Sequence, residues 1–346
     1  MRCINLLALP LAAALLSGCE DSAPGTATRS SLLPFDQMVD IVGEIQLEET
    51  DSVINVAIFA ALDPRGGFLV TDAREAQIRI YDSQGGLVNH VGRKGDGPAE
   101  FSRPVAAMRL STGEVLVVDR KLKAALFSQD GHTLIRTYRL PFSAVHDADL
   151  VDDSTLLISG AAQNGNGDLR AHLWRVGADT VLVSFFSVVI PDAMKPVDAS
   201  AGFSAAVLRG DTAALTYSLR DTVYLFTTSG TPIRKIPLGS THFRPATPAP
   251  ADFYSDPAAP MRWLRSFDLV GHSAWTSDAG LAVQYQTFDS AGSMALRLVR
   301  LNRDGRLVSE ALDSPGLLLT DPAKDLLYFV HPESETSDRW AVARWR

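Results

Sequence analysis

The chain states one pattern twice between residues 66 and 131. Gly66-Gly67-Phe68-Leu69-Val70-Thr71-Asp72 is followed by Ile78-Arg79-Ile80-Tyr81 and then Gly85. Gly113-Glu114-Val115-Leu116-Val117-Val118-Asp119 is followed by Ala125-Leu126-Phe127 and then Gly131. The copies lie roughly 47 residues apart. Phe68-Leu69-Val70 and Val115-Leu116-Val117-Val118 are short apolar runs bounded by Gly and Asp, which predicts strands buried on both faces. Ile78-Arg79-Ile80-Tyr81 alternates, as a half-buried strand does. The polar segments ending in Gly85 and Gly131 close turns, because glycine accepts positive φ cheaply. Each copy is an antiparallel sheet that cannot bury its own faces.

Several such sheets packed radially about an axis can bury them. The apolar-to-glycine step recurs at Phe226 before Gly230 and Leu301 before Gly305. A degenerate copy runs Leu173-Trp174-Arg175-Val176-Gly177, and a last one Trp340-Ala341-Val342-Ala343-Arg344-Trp345. Six such strands predict an all-β six-bladed β-propeller over residues 40–346, with blades of about 45–50 residues. The segment Ile41-Val42-Gly43-Glu44-Ile45-Gln46-Leu47 alternates. It is expected to pair with the C-terminal strand as the outermost strand of the last blade, so that N- and C-terminal strands close the ring.

One interval breaks the rhythm. From Phe226 to Leu301 is roughly 75 residues, and the excess falls on five prolines, Pro245, Pro248, Pro250, Pro257 and Pro260. Proline at that density cannot sit inside a sheet. An inserted loop at about residues 241–263, between the fourth and fifth blades, is expected.

The stretch Gly95-Asp96-Gly97-Pro98-Ala99-Glu100-Phe101, with Pro104, Gly113 and Val117-Val118-Asp119, resembles the NHL repeat. More closely, it is similar to bacterial secreted six-bladed propellers known by fold alone. The resemblance covers roughly residues 65–130, with Ala99 where glycine is common, and fades beyond. It implies that the glycine-rich turn links one blade to the next and that Phe101 and Pro104 pack against the following innermost strand. It implies structural roles for these residues and no catalytic residue.

Met1-Arg2-Cys3, an apolar core over residues 4–16, and Leu16-Ser17-Gly18-Cys19 resemble a lipoprotein signal (residues 1–18) that leaves a lipidated Cys19. An ordinary signal peptide with a chance cysteine is the alternative. Residues 19–39 then form a tether, small and polar over residues 20–31. Glu20 after the cysteine leans toward the outer membrane or cell surface of a bacterial envelope. With Cys3 removed and Cys19 lipidated, the domain has no thiol for a disulfide or a metal. The net charge of −8, about −9 without Arg2, disfavours nucleic acid as a partner.

The candidate partner-binding residues sit in the inserted loop: His242, Phe243, Arg244, Phe253, Tyr254, Arg262 and Trp263. Aromatics and arginines anchor interfaces; the bland alternative packs these rings on the propeller. Arg93 and Lys94 beside Gly95 form a candidate anion site, against the reading of a plain connector with solvated charges. His90, His132, His146, His172, His242, His272 and His331 show no metal-ligand spacing. Asp147, Asp149, Asp152 and Asp153, near His146, read as a solvated turn rather than a cation cage, and residues 165–168 as a hairpin turn. No catalytic residue, metal or cofactor is expected. The chain reads as a binding or scaffold module for a protein or glycan partner. The alternative is a divalent-metal-dependent hydrolase or lyase with its site at the central channel, like the lactonase-type propellers. If Cys19 carries the anchor, Cys19→Ala moves the protein from the membrane to the soluble fraction on fractionation; unchanged membrane association would place the anchor elsewhere.

Overall fold

The computed structural model describes residues 32–49, 59–72, 75–163, 168–253, 255–289, 292–332 and 337–346. Their strands form six antiparallel blades in chain order. Blade 1 runs Ala60–Leu62, Phe68–Asp72, Gln77–Tyr81 and Leu87–Val91 from the axis outward, and blade 2 runs Pro104–Arg109, Val115–Asp119, Lys123–Phe127 and Leu134–Arg139. Blade 3 is Phe142–Asp152, Thr155–Ala162, Leu169–Arg175 and Val183–Ser187; blade 4 is Ser204–Arg209, Thr212–Tyr217, Thr222–Thr227 and Pro232–Pro237. Blade 5 contains Leu269–Trp275, Leu281–Phe288, Met294–Leu301 and Leu307–Leu312, and blade 6 begins with Leu317–Asp321 and Leu326–Val330. Each innermost strand touches the next, and that of blade 6 touches that of blade 1, so the sheets close into a ring.

The ring is locked as the alternation predicts. Val39–Gln46 is the outermost strand of blade 6, paired antiparallel with Arg339–Trp345 from Val39 opposite Trp345 to Gln46 opposite Arg339. The propeller also begins before residue 40. Leu32–Pro34 adds a parallel strand to the outside of blade 5, and the Phe35–Met38 turn buries Met38 between blades 5 and 6. Residues 32–39, expected as the end of a tether, are therefore part of the propeller. A leucine pair and a phenylalanine after an aperiodic polar stretch carry too little periodicity to announce this strand.

The apolar runs have a direct explanation. Successive side chains of a strand point to opposite faces, and here each face meets a neighbouring blade. Phe68 and Val70 enter the seam with blade 6 while Leu69 enters the seam with blade 2. Val115 and Val117 turn to blade 1, and Leu116 and Val118 to blade 3. Six buried clusters fill the six seams. The glycine-rich connector serves one of them: Phe101 is fully buried between blades 1 and 2, and a Cβ at Gly92, whose φ is +77°, would run into its ring.

Four antiparallel strands return the chain to the face it started from, so all connections between blades lie on one face, here called the entry face. The connector before blade 5 spans residues 238–268 and ends in a short helix, Ala259–Leu264. A second insertion, residues 188–203 with the helix Lys195–Ala201, precedes blade 4. It escaped the sequence reading because the spacing from Trp174 to Phe226 stays near the repeat length. Trp340, fully buried in the closing strand, meets Phe68 of blade 1 edge-on with ring centroids 4.9 Å apart. Trp340→Ala is expected to cost about 3–5 kcal/mol of unfolding free energy, read by urea denaturation; a loss under ~1 kcal/mol would show that this seam does not hold the ring.

Candidate functional site

Six strands converging on an axis leave room near it for small side chains. Alanines accordingly line the channel, among them Ala60, Ala106, Ala107, Ala148 and Ala206, and they leave a cavity of about 530 Å³. Its walls come from blades 1 to 5 and extend from the entry face inward.

An innermost strand has a free edge whose N–H groups need acceptors. Blade 3 supplies them to blade 4 through side chains. His146 Nδ1 accepts from Ser204 N at 3.1 Å, an Asp147 oxygen accepts from Ala206 N at 3.2 Å, and an Asp149 oxygen accepts from Leu208 N at 2.9 Å. Asp147 and Asp149 therefore lie, with His146, on an inner strand and not in the solvated turn expected from their polarity; Asp152 ends that strand and Asp153 stands in the turn. The reason is that the edge amides of the neighbouring strand reward polar residues where an apolar pattern would be anticipated. Burial pushes Asp147 up to about 7 and Asp149 up to about 6, against the lowering effect of their amide hydrogen bonds. Burial also pushes His146 and His272 down to about 4, so both rings are neutral at pH 7. Among the described residues, no three His, Cys, Asp or Glu side chains converge as a metal's ligand set.

The mouth is cationic. Arg103 precedes the inner strand of blade 2, and Arg120 follows its second strand. Asp119, fully buried, fixes both positions by accepting from Ser102 N and Arg103 N at 2.9 Å and from Lys121 N at 2.6 Å. The Arg120 N–H donates to Arg103 O at 3.0 Å. Burial and the charge of Arg103 hold the Arg120 guanidinium below its usual range. Its carbon stands 5.6 Å over the ring of Phe203, which is 43% exposed and meets His146 edge-on at 5.4 Å. Farther from the axis, on the third strand of blade 3, Arg170 is neutralised by Asp198 at 2.9 Å, and Tyr217 donates to the same carboxylate. Arg103 and Arg120 make no ion pair among the described residues. Sequence reasoning missed this pair because the two arginines lie on separate loops and match no motif; their one signal is that each adjoins a residue of the blade repeat, Phe101 or Asp119.

The inserted loop mostly folds onto the propeller. Trp263 is buried in the seam of blades 3 and 4, donating from Nε1 to Thr247 O at 3.2 Å, with Phe253 edge-on to it at 5.2 Å. Phe243 packs on Tyr285 in the seam of blades 4 and 5. Arg244 pairs with the buried Asp268 at 2.7 Å. His242 and Arg262 are exposed, the latter paired with Asp256 at 2.8 Å. Tyr254 lies outside the described residues, as do residues 165–167 of the expected hairpin turn. At the connector, Arg93 pairs with Glu100 at 2.8 Å, and the same carboxylate accepts from Gly97 N at 2.9 Å. The glycine turn thus holds an anion that the chain itself provides, and Lys94 stands exposed beside it.

Comparison with known proteins bears on the fold. Residues 28–157 match a family described as a six-bladed β-propeller, DUF5128. No curated protein matches the sequence. A Bacteroides fragilis protein described as exported is similar in structure at 13% identity with a TM-score of 0.63, over 92% of this chain and 98% of that one. A member of the DUF4221 family from Bacteroides vulgatus is similar at 9% identity with a TM-score of 0.63, over 90% and 98%. These likenesses define the class as a six-bladed β-propeller.

The channel aspartates give the stability a pH dependence. The Asp147 carboxyl titrates at 3.8 when unfolded and at about 7 when folded. Below 3.8 both states hold the proton; as pH rises toward 7 the unfolded state releases it first, so the stability due to this group is lost across that window. Asp147→Asn removes the effect. Its stability relative to the parent is expected to improve by about 3–4 kcal/mol on going from pH 4 to pH 8, measured by urea denaturation at each pH. A pH-independent difference would refute the assignment.

Proposed function

We propose that this protein is a binding module of the bacterial cell envelope, held to a membrane through a lipid on Cys19, with no chemistry of its own. It receives a protein partner at the entry face, over the mouth of the central channel. One observation carries the reading: a chain of net charge −8 gathers two arginines without an ion-pair partner among the described residues, an exposed phenylalanine and a cavity at one place. Arginine and an exposed aromatic ring side by side are the residue types that anchor interfaces. The exposed ring and the alanine, valine and leucine side chains in the wall favour a protein over a glycan. The inserted loop contributes through its exposed residues, His242 and Arg262, while its buried rings hold it in place. The connector of residues 92–104 fits the NHL-like part of the reading, as a device for joining blades.

The alternative, a divalent-metal-dependent hydrolase or lyase in the channel, would draw on His146, Asp147 and Asp149. Each is already engaged by a backbone N–H of blade 4. A photo-crosslinking residue in place of Phe203 is expected to give adducts in cells. The same residue at Val88, exposed on the outer strand of blade 1, is expected to give none of them. Equal labelling from both positions, or none from position 203, would overturn the proposal.

A further inference from the structure

We infer that Arg103 and Arg120 clamp a carboxylate whose apolar body enters the central cavity. The inference rests on the entry face being the binding face and names what that face takes in.

Four arginines at or near the seams are each matched by a carboxylate. Arg79 meets Asp72 at 2.7 Å, Arg109 meets Asp63 at 2.6 Å, Arg170 meets Asp198 at 2.9 Å, and Arg244 meets Asp268 at 2.7 Å. Arg103 and Arg120 have no such carboxylate among the described residues, although they are adjacent and repel one another. Their backbones are fixed by Asp119, and Arg120 is steadied on the face of Phe203. Two guanidinium forks held in this way suit the two oxygens of a carboxylate. A phosphate gains from spare backbone amides as well, and here the amides of Ser102, Arg103, Arg120 and Lys121 are already taken. The body is specified by the walls. A cavity of about 530 Å³ lies in the range of small-ligand sites, and its wall mixes alanine, valine and leucine side chains with polar ones such as Thr216, His272, Ser273 and Gln286. Its aspartates are occupied by blade 4 amides, so they present little demand for a polar ligand. The C-terminal residue of an apolar peptide and a fatty carboxylate share this chemistry.

The test is calorimetric titration of the full chain carrying Cys19→Ala, which avoids competing detergent. The probes are decanoate, decan-1-ol, inorganic phosphate, and a short apolar peptide as its free acid and as its C-terminal amide. At least one carboxylate is expected to bind at one site per chain. Arg103→Gln and Arg120→Gln should each weaken it about tenfold or more, the loss of one charged hydrogen-bonding partner. Both side chains are exposed, so these variants should fold with an unchanged melting temperature. Arg120→Lys, which keeps charge but not the fork, should fall between parent and Arg120→Gln. Arg93→Gln, at the connector turn, should leave binding intact. Tighter binding of the free-acid peptide than of decanoate identifies a chain end as the source; the reverse identifies a fatty carboxylate. Decan-1-ol, inorganic phosphate or the peptide amide binding as well as the best carboxylate would overturn the inference, as would full affinity in both glutamine variants. No carboxylate binding with crosslinks still formed at position 203 would sink the clamp and leave the binding face standing. Carboxylate binding without those crosslinks would do the opposite.

Discussion

The ring depends on one strand pairing made across almost the whole chain. Glu44, near the start, binds Arg339 at 2.7 Å, and the two strands that carry them complete blade 6. Each blade buries its faces only against two neighbours, so an open ring would expose two full sheet faces at the break. The pairing of Val39–Gln46 with Arg339–Trp345 prevents that and also removes a strand edge. Exposed residues such as Ile41 and Val42 are tolerated on this strand because it is the outermost one and has a seam on neither outward-facing position.

The channel shows how the ring meets the cost of bringing strand edges together at its centre. Between blades 3 and 4, alternate N–H groups of Ser204, Ala206 and Leu208 are received by the side chains of His146, Asp147 and Asp149. Side chains stand in for the carbonyls of a neighbouring strand without narrowing the axis as a strand would. The cavity exists because alanines of the inner strands fill little of the space about the axis. Acidic groups in the wall are therefore part of the scaffold, and the chemistry available to a ligand is concentrated at the mouth.

The fold was legible because each blade obeys a local code: an apolar run, a polar turn ending in glycine, an alternating run. Ring closure was legible because Ile41 to Leu47 alternates where an outer strand was missing. The site was much less so. Proline density revealed the insertion before blade 5, but not that Trp263 and Phe243 lie in two different seams, since a ring capping a seam and a ring offered to a partner have the same sequence signature. Asp147 and Asp149 read as a turn because polarity is a good guide to solvent and a poor one to unsatisfied strand edges. Arg103 and Arg120 come together only because Asp119 gathers two loops, a long-range consequence of blade geometry that no linear spacing encodes.

The parallel strand Leu32–Pro34 has a mechanical meaning. It lies on the outside of blade 5, so the chain reaches the propeller at the rim of the disc and not at either of its flat faces. Tension applied through the preceding residues would load this strand against Leu307–Leu312 along their shared length, in shear, before it reached the closing strand. Were the chain tethered through Cys19 as proposed, the disc would be held by its rim and could tilt and swivel about that point, leaving the channel mouth free to turn.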